Sequence, residues 1–167
     1  YNLTYLPNHH PYENYRTSYA SKKKLGGGVV QSLIHEIDII SHFFGSPYKI
    51  FKNSSNSKII NTETENNFSA LAIYKKKFFF DLFIKLSFCD IRELRGFSIQ
   101  FDKKTIEMDL IKNILKFFSN KNKKIIIKKF YIKRNELFEM ELKYLKKSIE
   151  KKIEPATSIF KNNITNE

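Results

Sequence analysis

Apolar residues fall into three regimes along the chain. From residue 29 to 44, Val30, Leu33, Ile34, Ile37, Ile40 and Phe44 recur at steps of three and four, the period of a helix with one buried stripe. Gly45 and then Pro47 supply its stop. Between residues 47 and 131 the pattern becomes short runs of β-branched and aromatic residues broken by Asn, Ser, Asp and Lys clusters. This predicts strands at 48–53, 67–75, 78–89, 95–101, 105–109, 114–118 and 124–131, with a hairpin turn at Asp102-Lys103-Lys104. In the third strand Phe79, Leu82, Phe83, Ile84, Leu86 and Phe88 alternate imperfectly, as in a strand partly covered on both faces. Helical spacing returns at 133–152, where Phe138, Leu142, Leu145 and Ile149 form a stripe opposite charged residues. Pro155 ends that helix, and residues 156–167 begin a further helical pattern. The first 25 residues, with Pro7 and Pro11, show no sustained period and read as an extended arm with a short helix at 14–23. Sequential strands without intervening helices imply a largely antiparallel sheet. The order arm–helix–sheet–helix predicts one α+β domain over 1–167, its sheet at 47–131.

Composition narrows the class. At 167 residues the chain can bury one core, and 41% hydrophobic with 15% aromatic residues argues against disorder. Its apolar runs are a few residues long and flanked by lysine, well short of the roughly 20 needed to span a membrane. The opening Tyr1-Asn2-Leu3 has no initiator Met and no signal sequence, so the chain reads as part of something longer. Cys89 stands alone, which excludes an internal disulfide and a multi-cysteine zinc site and is compatible with a reducing cytoplasm.

The net charge of +13, from 30 Lys+Arg against 17 Asp+Glu, raises a polyanion or nucleic acid as partner. Arginine, however, is confined to Arg16, Arg92, Arg95 and Arg134, and arginine is the residue suited to bidentate phosphate and base contacts. Abundant Asn, Ile and Phe accompany the lysines, and all have A/T-rich codons. A solvated lysine surface is the simpler reading, with a basic polyanion-binding module kept as the alternative.

The helix after Gly26-Gly27-Gly28 carries the candidate chemistry. Opposite its apolar stripe Gln31, His35, Asp38 and His42 recur at i, i+4, i+7 and i+11, setting an imidazole beside a carboxylate. An imidazole exchanges protons with a hydroxyl near neutral pH, and a neighbouring carboxylate can fix its tautomer. Any surface helix has a polar face, and most surface histidines are simply solvated. A metal site on His35, Asp38 and His42 lacks a dedicated further ligand. The glycines do not spell the dinucleotide pattern G-x-G-x-x-G, and no strand is predicted before them.

These residues together resemble a known family. His10-Pro11-Tyr12-Glu13-Asn14-Tyr15-Arg16, Ser18-Tyr19-Ala20, Leu25-Gly26-Gly27-Gly28-Val29, His35-Glu36-Ile37-Asp38 and Phe43-Phe44-Gly45 resemble the C-terminal domain of Gfo/Idh/MocA oxidoreductases, in the branch linked to surface polysaccharides and nucleotide sugars. The match is confined to residues 7–45. The resemblance implies a dihydrodipicolinate-reductase-like C-terminal domain, a large open sheet with helices on one face and oligomerisation through the other. It implies an N-terminal Rossmann domain, absent from this chain, that binds NAD or NADP and supplies a lysine. The isolated chain would then not catalyse hydride transfer.

By the same resemblance His35 is the acid/base beside the reacting hydroxyl at a sugar ring carbon, and Asp38 orients or supports it. Ser32 stands where the family often has an acidic residue that contacts substrate hydroxyls, and Asn14 where it often has Asp. Tyr15, Arg16 and Tyr19 lie on an arm approaching the substrate, with Arg16 suited to a phosphate or carboxylate. Because Ser32 carries no charge, a catalytically inactive remnant of the same fold is a further alternative.

Overall fold

The computed structural model describes residues 1–9, 12–75, 79–131 and 133–153. Its centre is an eight-stranded sheet: β1 (Asn2–Tyr5), β2 (Lys49–Ser55), β3 (Asn67–Tyr74), β4 (Phe80–Ser87), β5 (Cys89–Gln100), β6 (Lys104–Asp109), β7 (Ile114–Ser119) and β8 (Ile125–Lys129). The order across the sheet is β2-β3-β4-β1-β5-β6-β7-β8. Only β1 and β4 pair in parallel; every other neighbouring pair is antiparallel. The helices are α1 (Leu6–His9), α2 (Val29–Ser32), α3 (Ile34–Phe44) and α4 (Arg134–Glu150), with 3-10 turns at Tyr19–Ser21 and Lys23–Leu25. This is the α+β class expected, and each predicted strand is present within a few residues of its expected ends, β5 starting earliest. Phe101 N–H donates to the Lys104 carbonyl at 2.8 Å, closing the hairpin at the expected turn. Residues 154–167, including Pro155, lie outside the described residues, as do His10, Pro11 and Phe78.

The register separates two faces. Phe68, Ala70, Ala72 and Tyr74 of β3, with Ile84 and Leu86 of β4, point to one side and are buried. There they meet Val29 and Leu33 in the core, with Val30, Ile37 and Ile40 packed against it. The Phe44 ring meets Tyr74 and Phe80 edge-on, at 6.0 and 5.0 Å. On the other side Phe51, Leu71 and Phe83 stand opposite one another across β2, β3 and β4. Among the described residues no helix covers this row, and Phe83 is 76% exposed. So β4 is covered on one face only, not partly on both.

Three expectations need correction. The first residues are not wholly an extended arm. Asn2, Leu3 and Thr4 are buried, and their strand sits between β4 and β5, Asn2 opposite Leu86 on one side and Arg95 on the other. Four residues are too few for periodicity to register. The helix expected at 14–23 is instead a run of turns ending in the 3-10 turn at Tyr19–Ser21. The helix expected over 29–44 is broken at Leu33 (φ −108°, ψ 31°), which leaves the helical region and separates α2 from α3.

The last helix forms where its stripe predicted it, but the stripe is not buried. Phe138, Leu142, Leu145 and Ile149 are between 47% and 69% exposed. Periodicity reports which side of a helix is apolar; it does not report what covers it.

Candidate functional site

The glycine turn is built by close approach. Gly27 lies so near the Tyr19 and Ala20 carbonyls that a Cβ would come within 2.1 Å of the Tyr19 oxygen. Gly28 N–H donates to the Ala20 carbonyl at 3.0 Å, and Val29 N–H to the Glu65 carbonyl at 3.1 Å. Gly26 takes the left-handed conformation (φ +74°) that closes the second 3-10 turn. The glycines thus hold the arm and the start of α2 together, and what leads directly into them is a 3-10 turn, not a strand.

A segment that the sequence left unassigned completes this scaffold. Between β2 and β3, residues 56–66 fold around Asn66, which is fully buried. Its amide donates to Asn56 Oδ1 and to the Ser57 carbonyl, each at 2.8 Å, and its Oδ1 accepts from Ser57 N–H at 2.7 Å. Thr64 Oγ1 donates to the Ala20 carbonyl at 3.0 Å, and Glu63 N–H to the Ser21 carbonyl at 2.9 Å. Lys22 Nζ donates to Glu63 Oε1 at 2.6 Å and holds that carboxyl below its ordinary range.

On this scaffold the expected site residues fall into two groups. Tyr15 and Arg16 lie together: Arg16 Nε donates to the Tyr15 hydroxyl at 3.4 Å, which also receives Asn61 N–H at 3.4 Å. The guanidinium lies 5.8 Å from the Tyr15 ring centroid. These contacts, Arg16 first, lower the Tyr15 phenol from its ordinary pKa. Tyr19 is exposed beside them in sequence. The second group lies on the helices. Gln31, His35, Asp38 and His42 are all exposed, so the polar face expected from the spacing faces solvent despite the break at Leu33. Ser32 differs from its neighbours: its hydroxyl is buried and has no hydrogen-bond partner. Among the described residues no hydrogen bond or ion pair joins His35 or Asp38 to Tyr15, Arg16 or Tyr19. Cys89 is half-buried, accepts from Asn67 Nδ2 at 3.6 Å, and has its thiol pKa raised by burial.

Three further residues were not apparent from spacing. Glu36 Oε1 accepts from Asn2 Nδ2 at 2.9 Å and from Arg95 Nε at 2.5 Å. They come from three elements far apart in sequence, so no local pattern relates them. The register of β1 with β5 does.

The residues here do not fit a dinucleotide. The negatively charged Glu65 side chain stands against Gly28, where a Cβ would lie 2.3 Å from its Oε1, which disfavours a pyrophosphate at this turn, and α2 is a single turn. Among the described residues no group of three or more His, Cys, Asp or Glu is placed to hold a metal. No described helix is long and apolar enough to cross a membrane. A hollow of about 710 Å³ opens on the uncovered sheet face between Tyr1, Leu3, Phe51, Leu71, Phe83 and Leu94, lined by no helical residue.

No protein-family profile matches the chain, and no curated protein matches it. Among solved structures, the chain is similar to an NAD binding oxidoreductase from Klebsiella pneumoniae, with a TM-score of 0.56 and 16% sequence identity. The match covers 69% of this chain and 34% of that one, so the chain spans about a third of the oxidoreductase's length. The likeness is one of fold: an α+β domain with an open, mainly antiparallel sheet.

Proposed function

We propose that the chain is the substrate-binding and oligomerisation domain of an NAD(P)-dependent oxidoreductase of the Gfo/Idh/MocA kind, acting on a ring carbon of a sugar or nucleotide sugar in the cytoplasm. The observation that carries this reading is the exposed His35 in the first turn of α3, which follows a glycine turn clamped to the arm. The fold shared with an NAD binding oxidoreductase supports it, as does the motif resemblance over residues 7–45. On this reading the cofactor, NAD or NADP, is held mainly by an N-terminal Rossmann domain outside this chain, as the motif resemblance implies.

Within this chain the task is to bind the sugar and move a proton. The imidazole of His35 takes or returns the proton of the hydroxyl on the reacting carbon. Asp38, one turn further on, orients the imidazole, and Arg16 meets a phosphate or carboxylate of the substrate. Ser32 is the exception within this reading: its hydroxyl must turn outward from its buried position before it can reach a sugar. The uncovered row Phe51, Leu71 and Phe83 is the surface through which a second copy binds.

Binding tests the assignment without requiring turnover. Nucleotide sugars and free sugars titrated into the 15N-labelled chain are expected to shift His35, Asp38, Tyr15 and Arg16 together. Heparin shifting the β6–β8 lysines while no sugar moves His35 would favour the polyanion-binding alternative and overturn the proposal.

A further inference from the structure

We propose that Glu36, Arg95 and Asn2 are positioning residues for His35, fixing the direction in which its imidazole leaves the helix. The inference rests on the reading of His35 as the acid/base, and it concerns residues which that reading does not itself use.

Because Leu33 leaves the helical region, α3 does not inherit its direction from α2. None of its eleven residues is buried, and its aromatic anchor, Phe44 against Tyr74 and Phe80, lies at the far end from His35. Ile37 and Ile40 only lean on the core, and such contacts are non-directional. His35 stands second in this new helix, where the backbone N–H groups lack helical acceptors.

Among the described residues, one directional side-chain tie holds that turn to the sheet. Glu36 Oε1 accepts from Arg95 Nε at 2.5 Å and from Asn2 Nδ2 at 2.9 Å. Asn2 is buried in β1, and Arg95 stands directly opposite it in β5. The carboxylate therefore docks where two strands meet, both inside the sheet. The Glu36 side chain is 11% exposed, and its Oε2 is buried without a partner. A carboxylate so far withdrawn from water depends on its hydrogen-bonded cation: removing Arg95 leaves Glu36, for positive charge, with only the electrostatic pull of the Tyr1 ammonium. By contrast the Asp90–Arg92 pair joins residues two apart in one strand and fixes no element.

Adjacent residues on a helix project about 100° apart at a rise of about 1.5 Å. Fixing Glu36 against the sheet thus fixes the direction of His35 to within the freedom of its own side chain, and turns it to the solvent side. The hydroxyl of Ser32, the last residue of α2 before the break, is also buried and unpartnered.

The test reads order at His35 in the intact 167-residue chain by NMR relaxation. In the unaltered chain the His35 amide is expected to have a backbone order parameter near the rigid value of about 0.85. Glu36→Ala is expected to bring it below about 0.6 and to shift the His35 ring resonances, while His42 and Phe88 change little. Glu36→Gln keeps an acceptor for Asn2 and Arg95 and is expected to restore the unaltered signature. Unchanged order at His35 in Glu36→Ala overturns the proposal. So does an equal loss at His35, His42 and Phe88, or a Glu36→Gln chain as mobile as Glu36→Ala. Should Glu36→Ala not fold, Arg95→Ala decides, because it leaves the Asn2 bond in place and should loosen His35 by a smaller amount; no loosening overturns the proposal. The readout is independent of turnover. If His35 proves dispensable for chemistry, the order measurement still stands or falls by itself.

Discussion

Gly28 and Glu65 approach each other more closely than any other residue at position 28 would permit. Gly28 has φ +130°, and a Cβ on it would lie 2.3 Å from Glu65 Oε1 and 2.8 Å from Glu65 Cδ. The contact joins the start of α2 to the segment between β2 and β3, beside the bond from Val29 N–H to the Glu65 carbonyl. Replacing Gly28 with Ala combines a disfavoured backbone with a displaced side chain, at about 1–3 kcal/mol. A thermal unfolding midpoint lower by several degrees is the expected result. Gly26→Ala is expected to cost less, since a Cβ there meets nothing within 4 Å although φ is +74°. Circular dichroism melts of the two variants give the comparison, and equal midpoints would contradict it.

Neighbouring positions in β4 should respond in opposite ways. Leu86 is fully buried against the helices, whereas Phe83 is 76% exposed on the other face. Leu86→Ala is expected to cost about 2–5 kcal/mol in denaturant unfolding. Phe83→Ala should stay within about 0.5 kcal/mol at concentrations where the chain is monomeric.

The row Phe51, Leu71 and Phe83 should reveal itself in association. Two such rows meeting face to face remove six apolar side chains from water, which favours self-association. Light scattering is expected to show a dimer or higher oligomer that Phe83→Asp dissociates, with an unchanged circular dichroism spectrum. A Phe83→Asp chain of the same mass as the unaltered one would show that the interface lies elsewhere.

Asp90 supplies a pH signature. Arg92 donates to its carboxylate through Nε at 2.9 Å and Nη2 at 2.6 Å, and these bonds hold its pKa down to about 2. A depressed folded-state value means that Asp90 favours the folded chain above its ordinary pKa of 3.8. That contribution is lost as pH falls from there through about 2. Carboxyl carbon NMR should give a midpoint near 2, returning toward 3.8 in Arg92→Ala.

The legibility of the chain depends on how local its determinants are. The strands at 67–75 and 105–109 were plain because β-branched and aromatic runs between polar clusters are local signals, and the turn at Asp102-Lys103-Lys104 was equally so. β1 was missed because only partners in β4 and β5 make its four residues a strand. The break at Leu33 was missed because its neighbours keep helical spacing on both sides. At the site, the exposure of His35 and Asp38 followed from their position opposite the apolar stripe. The burial of the Ser32 hydroxyl did not, nor did the Glu36–Arg95 pair, whose partners lie 59 residues apart.

In the proposed reading His35 exchanges the proton of the reacting hydroxyl. The most direct test is the turnover of His35→Ala, with the chain joined to its nucleotide-binding domain and supplied with the sugar that shifts His35 in the binding titration. A fall in kcat of about 10²–10⁴-fold is expected, as for loss of a general acid/base, with KM little changed. Turnover at the unaltered rate would remove His35 from the reaction and contradict the account.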